Sequence, residues 1–228
     1  MARRKQTRGI CGYCGREFAR TGMLRHLSSC RRREETVATL DREKGGRTEL
    51  FHLRIFDSLG GDFWLDLEMR GSATLKDLDD YLRAIWLECC GHLSMFSTGG
   101  WGYGDEIPMR ASIRRALQPG VEMLHIYDFG TSSKTLVRSV AVRKGSPMTS
   151  NPIVLMSRNN VPEIECTECD QPAVDFCIEC MYESDIPGTL CERHSETHTC
   201  EDYGDPLPLV NSPRLGMCGY DGPAEPPY

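Results

Sequence analysis

No apolar run in the 228-residue sequence approaches the roughly 18 residues that a membrane-spanning helix requires, which excludes that class. A secretory leader is not apparent either: the basic start, MARRKQTRGICGYCG, runs directly into Gly and Cys with no apolar segment behind it. The expected location is therefore cytoplasmic, with no membrane partner. There is no nucleophile elbow, phosphate-binding loop or paired-carboxylate motif, and Trp101-Gly-Tyr-Gly is Gly-rich without the GxGxxG spacing. These absences point away from an enzyme. Positive charge is nearly missing from the last third, where residues 161–228 hold two Lys/Arg against 15 Asp/Glu.

The composition that remains fits a folded protein: 39% hydrophobic and 26% charged residues, with a mean hydropathy of −0.41. Its formal net charge of −6 hides a sharp division. Residues 1–33 hold ten Lys/Arg and one acid, a balance of +9, whereas residues 161–228 stand at −13. The first region suits an anionic partner and the last a basic one.

Cysteine is the most informative residue. Nine of the 12 Cys, with three of the six His, fall in two short windows near the chain ends. In a chain expected to be cytoplasmic, paired spacing of this kind reads as metal binding rather than as disulfides. The first window is Cys11-x2-Cys14, followed by His26 and Cys30. A tight C-x2-C turn presents two thiolates to one tetrahedral ion, and His26 and Cys30 lie one helical turn apart. Phe18 and Leu24 are the expected small core. The pattern resembles a Cys-Cys-His-Cys variant of the ββα zinc finger.

The second window, after Pro162, holds Cys166-x2-Cys169, Cys177-x2-Cys180, Cys191-x2-His194 and His198-x-Cys200. Eight ligands suit two tetrahedral zinc ions, so three per chain are expected in all. An interleaved pairing puts Cys166, Cys169, Cys191 and His194 on one ion and Cys177, Cys180, His198 and Cys200 on the other. A sequential pairing, with the first four Cys on one ion, satisfies the same count. The interleaved form resembles B-box and related treble-clef-like modules.

Between the windows, residues 49–150 read as an α+β domain, a mixed sheet packed on one main helix. Phe51, Leu53 and Ile55 alternate, as do Phe63, Leu65, Leu67 and Met69, with Gly60-Gly61 between the runs; this predicts a strand pair. Thr74-x-x-Asp77 opens a helix whose apolar positions are Leu75, Leu78, Leu82, Ile85 and Cys89, closed by Gly91. Strands are expected at 92–97, 121–128 and 135–142, and a short helix at 112–117. Residues 34–48 read as a charged linker and 204–228 as a Pro/Gly-rich tail, extended or disordered, with contacts through Leu209, Val210 and Met217. The domains are thus 1–33, 49–150 and 161–203. Cys89 and Cys90 read as helix residues, and Cys218 falls outside the ligand pairs.

The central sequence, with TLKDLDDYLRAIW, GHLSMF (residues 91–96) and YDFGTSSKTLVRSVAV (residues 127–142), resembles the plasmid pRiA4b ORF-3-like domain family. That resemblance implies an association with mobile genetic elements. His92, His125 and Asp128 are the candidates for an alternative enzymatic site; the His residues suit packed or surface positions, and Asp128 suits a turn. The leading expectation is a non-enzymatic zinc-binding protein that contacts DNA or RNA through Arg3, Arg4, Lys5, Arg8, Arg16, Arg20, Arg25, Arg31, Arg32 and Arg33. The other is an interaction adaptor that binds a basic protein through its acidic C-terminal module.

Overall fold

A computed structural model describes residues 7–58, 61–98, 104–183, 186–200 and 202–228. Arg3, Arg4, Lys5, Gly60 and Trp101 lie outside the described residues.

The alternating runs form the expected hairpin. Strand β3 (Thr48–Asp57) pairs antiparallel with β4 (Trp64–Arg70), setting Leu53 opposite Leu67 and Ile55 opposite Leu65. Asp57 closes the connection by accepting from the Gly61 and Phe63 amides at 2.9 and 3.2 Å. The helix α3 (Leu75–Leu82) begins at a complete capping box. The Asp77 amide donates to Thr74 Oγ1 at 3.2 Å, and the Thr74 amide donates to Asp77 Oδ2 at 2.7 Å. Beyond Leu82 the backbone widens into a π-helical turn, Arg83–Leu87, and Glu88 is already extended. Cys89 and Cys90 therefore lie past the helix rather than on it.

The chain is α+β, as expected, but the sheet is antiparallel in every described pairing instead of mixed. Strands β1 (Arg8–Cys11), β2 (Glu17–Ala19), β5 (Ser94–Thr98), β6 (Glu106–Ile107), β7 (Glu122–Tyr127), β8 (Ser133–Gly145) and β9 (Ile153–Asn159) complete it. The order is β2-β1-β9-β4-β3-β8-β7-β5-β6. The short helix α4 (Ile113–Ala116) falls where expected. Strand β9, outside the expected elements, joins the N-terminal pair to the central hairpin.

The two faces of this sheet differ. Under α3 and the π-helical turn, Leu53, Ile55, Leu67, Leu78, Trp86 and Phe96 form a fully buried apolar core. The alternate side chains form an ionic layer. Asp66 accepts from Arg54 Nε at 3.0 Å and Ser157 Oγ at 2.8 Å, and lies 2.8 Å from His52 Nε2. Arg143 grips Glu68 through two bonds of 2.7 and 2.8 Å. These groups are buried because the N-terminal helices cover them. Arg54 reaches the Arg20 carbonyl in α1 (Arg20–Ser28), and Asp41 in α2 (Arg31–Lys44) accepts from the Ser146 amide. Most of the segment expected to be a linker is thus helix, half-buried along the face of Arg33, Thr36, Val37, Leu40 and Asp41 and laced on its exposed side by pairs such as Arg31–Glu35.

The C-terminal region forms its own three-stranded sheet, β11 (Thr189–Leu190), β10 (Asp175–Phe176) and β12 (Leu207–Pro208), with helices α5 (Ile178–Glu183) and α6 (Glu192–Glu196). Its two ends meet at an asparagine clasp. Asn159 Nδ2 donates to Asn211 Oδ1 at 2.8 Å, and Asn211 Nδ2 returns a bond to the Asn159 carbonyl at 2.6 Å. The tail beyond is docked through the buried Ser212, Arg214, Tyr220 and Ala224, and the three residues expected to make contacts are half-buried, with Met217 Sδ 3.6 Å from Ser133 Oγ.

Candidate metal centres

The described residues contain four Cys/His quartets whose donor atoms all lie within 4.8 Å of one another within each quartet. With a Zn–S bond of about 2.3 Å, tetrahedral geometry sets neighbouring sulfurs about 3.8 Å apart. That spacing is the test of fit.

In the N-terminal quartet, Cys11 ends β1, Cys14 lies in the following turn, His26 is on α1 and Cys30 precedes α2. Gly15 adopts φ +69°, where a side chain would be strained, and its amide returns to the Cys11 carbonyl at 2.9 Å to close the knuckle. Cys11 and Cys30 Sγ lie 4.0 Å apart, and Cys14 Sγ is 3.2 Å from His26 Nε2. Phe18 stacks on the His26 ring at 4.1 Å and orients it. Burial pushes the Cys11 thiol up to about 11, so its ionisation calls for a cation at this point. The core beneath is Met23, Leu27, Trp64 and Met156, with Phe18 against its edge; Leu24 is only half-buried. The module is therefore not free-standing. Trp64 and Met156 belong to β4 and β9, and the Gly12 amide bonds the Met156 carbonyl.

At the C-terminus the pairing is interleaved. Cys166, Cys169, Cys191 and His194 converge: the Cys169–Cys191 sulfurs are 3.8 Å apart, and His194 Nδ1 lies 3.3 to 3.6 Å from the three thiols. Cys177, Cys180, His198 and Cys200 converge separately, with Cys180 Sγ 3.6 Å from both Cys200 Sγ and His198 Nε2. Strand pairing imposes this choice over the sequential one. Phe176, beside Cys177, pairs with Thr189, while Thr167 bonds Thr189 and so brings the first knuckle to Cys191. Burial raises the Cys166 thiol, but hydrogen bonding to His194 and to the Cys191, Glu168 and Cys169 amides outweighs it and brings the group to about 6.

The fourth quartet, Cys89, Cys90, His92 and Cys218, escaped the sequence analysis. A Cys-Cys-x-His run is visible at residues 89–92, but its fourth member lies in the tail, beyond the reach of a spacing rule.

The expected nucleic-acid residues divide into two groups. Arg8, Arg16, Arg25, Arg31 and Arg32 are exposed. Arg20 and Arg33 are turned inward, Arg20 onto the Gly61 carbonyl at 2.8 Å and Arg33 onto the Leu27 carbonyl at 2.9 Å beside Glu68. Of the enzymatic candidates, His92 and Asp128 meet, with Nε2 3.5 Å from Oδ2, and His125 has separate partners. His125 is fully buried, bonding Asp79 at 2.9 Å, whereas Asp128 receives Arg214 at 2.8 Å and caps the Gly130 amide in its turn.

Among the described residues, no helix is long and apolar enough to cross a membrane. No family model matches the chain, and no curated protein matches its sequence. Among solved structures, a protein of unknown function from Methanosarcina mazei Go1 is similar over 46% of this chain and 67% of its own, at 18% identity and a TM-score of 0.40. The case that these clusters could hold metal thus rests on their own donor sets and distances.

Proposed function

We propose that this is a non-enzymatic, zinc-stabilised protein that binds nucleic acid through its N-terminal segment, as a cytoplasmic accessory of a mobile genetic element. The observation that carries the reading is the set of five exposed arginines on a module held by Cys11, Cys14, His26 and Cys30. Arg31, Arg32 and Arg33 occupy the first turn of α2, where the helix dipole disfavours cations. A phosphate there would meet both guanidinium groups and free helix amides. Zinc in this role fixes the geometry of the arm and does no chemistry. The mobile-element association rests on the pRiA4b ORF-3-like resemblance.

Deleting residues 1–33 would strip β1 from the sheet, so the test keeps the full chain. Fluorescence-anisotropy titrations with duplex and single-stranded probes compare wild type with the quadruple variant Arg16→Gln, Arg25→Gln, Arg31→Gln, Arg32→Gln. Five engaged phosphates give a log–log salt slope of about −4.5 on duplex DNA, and each lost arginine removes about 0.9. Equal affinity for the two proteins refutes the reading.

An adaptor role is favoured by a separate observation. Val174, Tyr182, Ile186 and Tyr203 are exposed on the acidic C-terminal module, a combination suited to a basic protein partner with apolar anchors. Retention of such a partner by the quadruple variant would place it here.

A further inference from the structure

We propose that Cys89, Cys90, His92 and Cys218 form a fourth metal site, for a thiophilic divalent cation of the zinc class, and that the bound ion fastens the tail to the central domain. The Cys89–Cys90 and Cys90–Cys218 sulfurs are each 3.6 Å apart. His92 Nε2 lies 3.0 Å from Cys90 Sγ and 3.6 Å from Cys218 Sγ. The two sulfur edges match the 3.6 and 3.8 Å sulfur separations of the two C-terminal quartets, which sequence spacing had already marked as ligands, and the imidazole edges of 3.0 and 3.6 Å stand beside 3.3 to 3.6 Å there. The donor set is three thiolates and one imidazole, the same composition as in each of the other three quartets.

The surroundings support a charged centre. Arg214 is fully buried and pairs with Asp128. Its Nε also points at Cys89 Sγ, 3.3 Å away, as a donor supporting a metal-bound thiolate would. Tyr127 Oη lies 3.7 Å from the same sulfur and donates to Glu88 at 3.1 Å. Three thiolates, one neutral imidazole and a divalent cation would sum to a single negative charge, set beside the Arg214–Asp128 pair, whose carboxylate also lies 3.5 Å from His92 Nε2. Cys218 adopts a left-handed backbone conformation, φ 55°, which is strained for a non-glycine residue. In that conformation its thiol meets the other three.

A disulfide is the competing chemistry. It would join Cys90 to either Cys218 or Cys89, would need the sulfurs to close to about 2.05 Å, and would leave one thiol and His92 unused.

The site differs from the others in what it joins. The terminal quartets draw ligands from within 19, 28 and 23 residues, whereas Cys90 and Cys218 are 128 apart in sequence. An ion here would link the end of the π-helical turn to the turn after Arg214. The test uses the full chain, purified without added metal, with metal content measured by mass spectrometry. Wild type should carry one equivalent more than the double variant Cys90→Ser, Cys218→Ser, whose substitutions are at exposed positions. Thiol titration of denatured wild type, with chelator and without reductant, should find all 12 Cys free. Hydrogen exchange at residues 212–220 should accelerate in the double variant while the three other quartets keep their metal. Equal metal content in the two proteins, or the loss of two thiols to a disulfide, overturns the site. A lost equivalent with unchanged exchange overturns the fastening role.

Discussion

The two terminal metal modules use the same donors in different ways. At the N-terminus, Cys11 ends a strand of the main sheet, and the module shares Trp64 and Met156 with the central domain. The C-terminal module has its own three-stranded sheet, and its small core of Cys177, Cys180 and Leu190 is largely made of the ligands themselves. In the first, a bound metal would supplement packing that already exists. In the second, it would replace packing that 40-odd residues cannot supply.

The sharpest way to break this contrast is to remove one ligand from each. Cys191→Ser should abolish the order of residues 163–203, because structural zinc supplies about 10–16 kcal/mol of apparent folding energy in modules of this kind. Cys14→Ser should cost the N-terminal ion yet leave β1 paired with β9. Hydrogen exchange checks both; equal loss of protection in the two modules would remove the distinction.

Next in size is the ionic layer beneath α1 and α2. Asp66→Asn leaves Arg54 buried without its counter-charge and should cost about 3–5 kcal/mol in chemical denaturation. The substitution also alters the acid response. Burial would raise the Asp66 carboxyl, but His52 and Arg54 more than reverse this and hold it below the ordinary range. A depressed folded pKa contributes stability that is present above the unfolded value of about 3.9 and lost as pH falls through the folded one. Wild type should therefore lose stability more steeply than Asp66→Asn below about pH 4.

The smallest effect concerns neither terminal module. Thr74→Ala removes the side-chain cap of α3 and should cost about 1 kcal/mol of global stability with metal content unchanged. A change in metal content would mean that the quartets are coupled to the central helix.

These contrasts also mark what the sequence could reveal. Ligand pairs separated by two residues were legible, because a knuckle is local. So was the Thr74–Asp77 box, together with the alternation of Phe51, Leu53 and Ile55. The interleaved pairing needed the register of Phe176 against Thr189, which no spacing encodes. The α2 segment, RRREETVATLDREK, half-buries Arg33, Thr36, Val37, Leu40 and Asp41 at helical spacing, but only Val37 and Leu40 of these are apolar, too few for the stripe that identifies a helix. His52, Arg54, Asp66 and Glu68 have the alternation of a solvent-facing sheet; their burial depends on a cover that comes from elsewhere in the chain. Cys218 joins Cys89, Cys90 and His92 only after the tail has docked.

The asparagine clasp gives residues 160–210 the character of an insertion. The chain departs from β9 at Asn159 and returns beside it at Asn211, so everything between could be exchanged as cargo. Loop-closure entropy varies slowly with length, about 0.6 kcal/mol for each doubling, so a shorter or longer graft would disturb the host little. Evolution, or an engineer, could replace the two-metal module with a different recognition head. A graft would have to replace the contact that the tail's Gly216 makes with Phe176 and Met181 of the module, while Ser212 and Arg214 keep their bonds to the central domain.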